Sequence, residues 1–233
     1  MKHRSTEQEL MDDFDMAGTH LAEALDKIAR INRMLGGNRP TIKAVTSIAR
    51  KLQDKEPVRV TDLGCGNGDM LRSLSEAGKK KHIRFRMTGI DANAFTIAHA
   101  GKLSAGFPDI TYECGNVLDP DFFLKESDIV LLTLTLHHFS DQQILQLLGR
   151  IADRTKAAIV INDLQRSRLA YWLFKCLSRL LRLGEMNDKD GALSIKKGFT
   201  RKELHELARK MNFKKYTIRW KWAFRYRWVI TDL

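Results

Sequence analysis

Val58-Arg59-Val60-Thr61-Asp62-Leu63 runs directly into Gly64-Cys65-Gly66-Asn67-Gly68-Asp69, and this stretch decides the fold. The first half is a buried-strand pattern, β-branched and apolar apart from Arg59, Thr61 and Asp62. The second half places glycine at every other position before a helical pattern begins at Asp69. Glycine allows left-handed backbone and close approach of a ligand to the main chain, so a strand-to-helix turn of this composition predicts a nucleotide-type ligand. Dinucleotide-binding turns use Gly-x-Gly-x-x-Gly facing a pyrophosphate. Here the third glycine comes one residue early, and an acid, Asp62, precedes the first by two. A carboxylate suits a ligand carrying an amine, not a diphosphate.

Outward from this turn, short β-branched runs alternate with helical patterns. Strands are expected near residues 58–63, 84–90, 110–114, 129–133 and 158–162, with helices near 69–77, 94–103 and 142–154. That alternation predicts a parallel sheet covered by helices on both faces. Upstream, apolar residues at spacings of three and four predict one or two amphipathic helices over 6–35. Gly36-Gly37-Asn38-Arg39-Pro40 breaks the pattern, and a helix follows over 41–52 with Thr41 as its N-cap. Downstream, 169–183 reads as a helix rich in Leu, Trp, Phe and Tyr, 184–191 as a polar loop, and 200–211 as a helix with Thr200 and Glu203 at capping-box spacing. Residues 216–231 read as two antiparallel strands with Trp220, Trp222, Phe224, Tyr226 and Trp228 on one parity, expected to face the sheet.

The chain resembles the class I S-adenosylmethionine-dependent methyltransferases, whose first motif, acid-x-Gly-x-Gly-x-Gly, is matched by Asp62, Gly64, Gly66 and Gly68. The resemblance implies a Rossmann-like, doubly wound α/β sheet, mostly parallel with an antiparallel C-terminal hairpin, plus a helical lid. It implies residues 1–56 as N-terminal helices capping the substrate, and 57–233 as the methyltransferase domain with a helical insertion at about 164–198. It further implies S-adenosylmethionine as cofactor and S-adenosylhomocysteine as by-product. No metal is expected, because the acidic residues after the fourth and fifth strands, Asp141 and Asp163 with Asn162, are too few for a magnesium site. Asp62 would anchor the methionine ammonium, and Gly64, Cys65, Gly66, Asn67 and Gly68 would cradle the amino-acid half. Asp91, with Ala92 behind it, would accept the ribose hydroxyls. Asn116, where the family usually has Asp, and Val117 would meet the adenine, and Thr133 would line the site.

The fourth strand leads into Leu136-His137-His138-Phe139, without the Asn/Asp-Pro-Pro-Tyr element of amino-group methyltransferases. It is similar to the small-molecule branches, quinone-type C-methyltransferases and phenolic O-methyltransferases. In the latter, His137 falls on the histidine that takes the phenol proton. A sulfonium methyl is already electrophilic, so the protein must chiefly align the reactants and remove a proton, a task suited to histidine. His137 and His138 are therefore the catalytic candidates; packing or helix capping is the alternative for each. The expected acceptor is small, hydrophobic and phenolic or polyketide-like, with methylation at oxygen expected and carbon close behind.

Charge is uneven along the chain. Residues 165–233 hold 18 Lys/Arg against 6 Asp/Glu, while the rest is balanced. RNA as substrate, contact with a membrane surface, or a plain solubilising surface would each account for this. A non-catalytic module keeping a cofactor pocket also stays open. Cys65, Cys114 and Cys176 lack CxxC spacing and are read as reduced, mostly buried thiols. The N-terminus lacks a secretory signal and no apolar run approaches membrane-spanning length, so a cytoplasmic protein is expected. Oligomeric state is left open.

Overall fold

The computed structural model describes residues 1–52, 56–231 and 233. Its centre is a seven-stranded sheet in the order β3-β2-β1-β4-β5-β7-β6. The five parallel strands are β1 (Val58–Leu63), β2 (Phe85–Asp91), β3 (Ile110–Cys114), β4 (Ser127–Thr133) and β5 (Thr155–Leu164). β6 (Tyr216–Lys221) and β7 (Arg225–Ile230) complete the sheet as an antiparallel hairpin, β7 pairing with β5. The order reverses between β1 and β4, so the connections from these strands leave to opposite faces. That opens a crevice at their carboxyl ends, where ligands of such sheets bind.

Alternating burial along the strands divides the core in two. On one face Val58, Val60, Ile129, Leu131 and Val160 pack against α2 (Arg39–Leu52) and α3 (Asp69–Lys81). On the other, Val130, Leu132, Ile159, Ile161 and Trp228 pack against α5 (Asp141–Ala152) and α8 (Arg201–Lys210). α4 (Ala94–Leu103) covers β2 and β3, capped by Asn93, whose side chain accepts from Thr96 N at 2.8 Å. The expected capping box opens α8: Glu203 N donates to Thr200 Oγ1 at 3.3 Å and Thr200 N to Glu203 Oε2 at 2.7 Å.

Several expectations are corrected. Residues 1–18 are not an amphipathic helix: apart from one 3₁₀ turn, Leu10–Asp12, they form an extended strap, and only α1 (Thr19–Met34) is helical. α2 begins at Arg39, with Pro40 in the first turn, where its missing N–H costs nothing. Thr41 is thus inside the helix and buried, its Oγ1 accepting from Asn162 Nδ2 at 3.0 Å. After α6 (Arg168–Leu181), residues 184–191 are not a loop; they begin α7 (Glu185–Lys197). The periodicity was hidden because the buried face of α7 is polar, carrying Asn187, Asp190 and Lys197. Asp190 accepts the N–H groups of Leu10 and Met11 at 2.9 and 3.0 Å, which ties the strap to α7.

Of the C-terminal aromatics, Trp228 and Tyr226 are buried, but Trp220 and Trp222 are exposed at the outer edge and the hairpin turn. Cys65 is buried, whereas Cys114 and Cys176 are exposed. Among the described residues no helix is long and apolar enough to cross a membrane.

Gly68 is the N-cap of α3, in left-handed backbone at φ +76°. A Cβ there would lie 2.0 Å from Tyr112 Oη. Gly68→Ala is therefore expected to lower the unfolding free energy by about 2–4 kcal/mol, combining left-handed strain with overpacking. Urea denaturation measures it; a loss under about 0.5 kcal/mol contradicts the tight fit.

Candidate active site

The carboxyl ends of β1, β2, β4 and β5 open into a cavity of about 1260 Å³ roofed by the strap, α1, α6 and α7. A pocket for one small ligand is roughly 300–1,000 Å³, so this one has room for two.

The glycine turn forms one wall. Gly64 and Gly66 both take positive φ, +69° and +52°. A Cβ on Gly64 would come within 2.4 Å of Thr135 Cγ2, while one on Gly66 would meet only Leu25 at 3.8 Å and project into open space. Gly64, Cys65, Gly66 and Asn67 line the cavity. Gly68 does not; its freedom serves the turn and the packing against Tyr112. Asn67 is buried, its Nδ2 donating to Asp26 Oδ1 at 2.8 Å and its Oδ1 accepting from Asp69 N at 3.1 Å. Asp69 in turn holds Arg33 and Asn38, pinning the end of α1 and the α1–α2 turn to the loop.

Asp62, the penultimate residue of β1, has 1% of its surface exposed, and among the described residues its Oδ1 has no hydrogen-bond partner. Burial, reinforced by the charge of Asp91, pushes its carboxyl up to about 8. Burial also raises the Asp91 carboxyl, against backbone N–H groups that favour its charge: Gly66 N donates to Oδ2 at 3.0 Å and Asn93 N to Oδ1 at 3.1 Å. Ala92, Asn116, Val117 and Thr133 also line the cavity. Asn116 Oδ1 accepts from Leu118 N at 3.0 Å, so a local turn already uses the oxygen expected to face a ligand. Thr133 Oγ1 is buried without a partner.

Beside the glycine turn, a 3₁₀ turn, Leu136–His138, presents the two histidines with ring centroids 4.2 Å apart. His137 is 2% exposed; its Nδ1 lies 2.7 Å from Asp163 Oδ1, and its backbone N–H donates to Asp163 Oδ2 at 3.1 Å. Burial would raise Asp163, but the charge and hydrogen bond of His137 and the N–H of Leu164 hold it below the usual carboxylate range. An ionised carboxylate only accepts, so Nδ1 carries the proton and Nε2, which has no partner, is the free ring nitrogen. His138 differs. Burial disfavours its charge, but the Nδ1 hydrogen bond to Asp12 Oδ1 at 2.6 Å and the charges of Glu9 and Asp12 outweigh this and raise it above the ordinary histidine value.

The strap supplies residues that no sequence signal marked. Glu9 is buried, with Oε1 3.8 Å from His137 Nε2 and 3.8 Å from His138 Nδ1. Glu9 and the two histidines are grouped as divalent-metal ligands would be, yet Lys197 Nζ lies 3.3 Å from that same Oε1 and 3.1 Å from Asp12 Oδ2, placing an ammonium at the cluster. Arg4 clamps the strap over the 3₁₀ turn, donating to the carbonyls of His137, Phe139 and Lys197 and pairing with Asp141 at 2.7 Å. Glu9, Asp12 and Arg4 are far from the histidines in sequence, and Glu9 and Asp12 lie where the apolar spacing predicts a helix.

Residues 60–158 match a family model described as a methyltransferase domain. No curated protein matches the chain. Among solved structures, the plantazolicin methyltransferase BpumL in complex with SAH superposes with a TM-score of 0.64 at 17% identity, covering 91% of this chain and 94% of that one. The magnesium protoporphyrin IX methyltransferase of Synechocystis PCC 6803 with bound SAH gives 0.58 at 13% identity over 88% and 91%. The CMeT domain of the citrinin polyketide synthase gives 0.57 at 11% identity, over 76% of this chain and 47% of that one. At such identities the likeness is one of fold. The chain has the class I methyltransferase fold, and its residues 60–158 match a methyltransferase domain.

Proposed function

We propose that the chain is an S-adenosylmethionine-dependent methyltransferase that methylates an oxygen of a small hydrophobic acceptor, phenolic or polyketide-like, with His137 as general base. The observation that carries this reading is buried His137, which lines the same cavity as the glycine turn, pairs through Nδ1 with Asp163, and keeps Nε2 without a hydrogen-bond partner among the described residues.

The residues present fit the cofactor. Asp62 offers a buried, unpartnered carboxyl oxygen for an ammonium, and the open space beside Gly66 gives a main-chain cradle. Asp91 retains lone pairs for ribose hydroxyls beyond the two N–H groups it already accepts. Ala92, Val117 and the Asn116 amide nitrogen line the cavity and would meet the adenine. When bound, S-adenosylmethionine supplies an electrophilic methyl group.

The chain's part is then to orient the acceptor and move one proton. His137 Nε2 accepts the acceptor hydroxyl proton, while Asp163 fixes the ring and its tautomer through Nδ1. The Glu9 carboxylate, 3.8 Å from Nε2, stabilises the imidazolium so formed. His138, whose protonated form Asp12 and Glu9 favour, is less suited to act as base and instead balances the acidic strap. The strap and α6 exclude water; Leu173, Phe174 and Leu177 of α6 give the cavity an apolar wall. The plantazolicin and polyketide synthase neighbours support a natural-product type of acceptor.

A second reading, RNA as acceptor, rests on exposed Trp220 and Trp222 beside Arg219 and Lys221, a surface suited to base stacking. It requires tight RNA binding that weakens steeply with salt.

Calorimetry with S-adenosylhomocysteine is the primary test, with micromolar binding expected; no heat at micromolar protein refutes the reading. Labelled methyl transfer to a panel of phenols, followed by NMR of the product, then separates oxygen from carbon methylation.

A further inference from the structure

Two arginines of the C-terminal third are almost wholly buried, and they differ in a telling way. Arg166 has its guanidinium fully engaged: Nη1 donates to Gly198 O at 2.7 Å, Nη2 to Glu203 Oε1 at 2.6 Å and to Lys2 O at 3.2 Å, and Nε to Met1 O at 3.4 Å. Arg225, the first residue of β7, is 4% exposed and makes one hydrogen bond, from Nη2 to Asn32 Oδ1 at 2.6 Å. Among the described residues its Nε and Nη1 are buried without hydrogen-bond partners, and it lines the cavity. The α1–α2 turn closes over it: a Cβ on Gly37 would lie 3.0 Å from Arg225 Cζ.

A cation taken out of water with most of its donors unmet is costly unless something completes its shell. Among the described residues no carboxylate is paired with it; the nearest acidic influence is the charge of Asp163, which His137 engages. Burial lowers Arg225 to about 10, with Asp163 opposing, so it stays charged at neutral pH. Planar N–H donors of this kind match an anionic oxygen group, a carboxylate above all.

Position decides which ligand the group belongs to. β7 lies beside β5, two strands from β4 and three from β1. At about 4.8 Å per strand, the start of β7 is roughly 14 Å from the β1 end that bears Asp62 and roughly 10 Å from the β4 end that leads to His137. Arg225 therefore stands on the acceptor side of the cavity.

We propose that Arg225 is the anion-binding residue of the acceptor subsite, so that the acceptor is an apolar, ring-bearing molecule carrying a carboxylate at a remove from the oxygen that is methylated. This rests on the methyltransferase reading above and adds the charge of the acceptor to it. Asn32 positions the guanidinium and Gly37 leaves room for it.

The test titrates 2-naphthoate and its uncharged counterpart 2-naphthamide into the protein, alone and saturated with S-adenosylhomocysteine. The unmodified chain is expected to bind the carboxylate at least tenfold more tightly than the amide. Arg225→Met removes that preference without altering amide or S-adenosylhomocysteine affinity, and Arg225→Lys retains part of it. If Arg225→Met does not fold by circular dichroism, Arg225→Lys carries the test, with naphthoate at least threefold weaker and the amide unmoved. Equal binding of the two probes by the unmodified chain overturns the proposal. So does a tenfold loss of S-adenosylhomocysteine in Arg225→Met with 5′-methylthioadenosine unaffected, which would assign Arg225 to the cofactor's own carboxylate. Failure of the unmodified chain to bind S-adenosylhomocysteine counts against the methyltransferase reading instead, and the naphthoate comparison on the ligand-free protein is read separately.

Discussion

His137→Ala lowers turnover by about 10²- to 10⁴-fold, the usual contribution of a positioned general base, while S-adenosylhomocysteine affinity stays within about threefold. The split follows from geometry. Nε2 is the one ring nitrogen left for an acceptor, since Nδ1 and the backbone N–H are both committed to Asp163. Asp163→Asn should cost nearly as much. The carboxylate accepts three donors, from His137 N, His137 Nδ1 and Leu164 N, and an amide offers only one accepting atom in its place. Its amide hydrogens would also favour the other imidazole tautomer, with the proton on Nε2 and no base facing the acceptor. Steady-state kinetics and thermal melting supply the check. Turnover falls in His137→Ala with the melting temperature retained, whereas a purely structural His137 leaves turnover largely in place and lowers the melting temperature instead. Retention of more than a third of the activity by His137→Ala removes the base role.

How much of this was legible in the sequence depends on whether the information is local. The glycine turn, the five parallel strands and the two capped helices α5 and α8 are set by residues adjacent in sequence, and these were read within a few residues of where they lie. β4 and β5 were undercounted at their starts: the β4 register shifts between Ser127 and Ile129, and Lys156 breaks the apolar run of β5. The strap and α7 were misread for a shared reason. Asp190 on α7 accepts the backbone of Leu10 and Met11, and Ser194 donates to Glu9 Oε2 at 2.7 Å. Each segment buries polar groups against the other, and periodicity methods see burial only when it is apolar. Arg225 is not marked in the sequence either: on an alternating basic strand, nothing local separates the guanidinium buried under the α1–α2 turn from its less buried neighbours. Asp163 stood out in sequence only as a weak candidate for magnesium, yet in three dimensions it is the partner of His137. Thus the residues proposed for the cofactor lie along contiguous motifs, and those proposed for the acceptor come from segments far apart in the chain.

Asp62→Asn should weaken S-adenosylhomocysteine binding by about 2–5 kcal/mol, on the order of 30- to several-thousand-fold, as for truncating one member of a buried charge pair. The protonation behaviour makes this prediction specific. In the ligand-free chain burial, then Asp91, pushes the Asp62 carboxyl up to about 8. At pH 7 it therefore carries about 0.9 of a proton, and pairing with an ammonium requires its release. Calorimetry at pH 7 in buffers of different ionisation enthalpy is expected to show close to one proton released on binding by the wild type and almost none by Asp62→Asn. Apparent affinity then weakens by up to about tenfold for each pH unit below 8. The same shift sets the sign of the stability change without ligand. The folded-state value lies above the unfolded value, so the folded chain binds more protons between about pH 4 and 8. Stability from this group is fully present below about 4 and is lost as pH rises through 8. Asp62→Asn, uncharged throughout, lacks that slope, and the variant should melt higher than the wild type at pH 8.5 in the absence of ligand. With the ammonium in place the wild type regains the advantage, so the melting shift produced by S-adenosylhomocysteine grows with pH in the wild type and stays flat in the variant. A ligand-induced shift independent of pH in both proteins would mean that Asp62 does not face the ammonium.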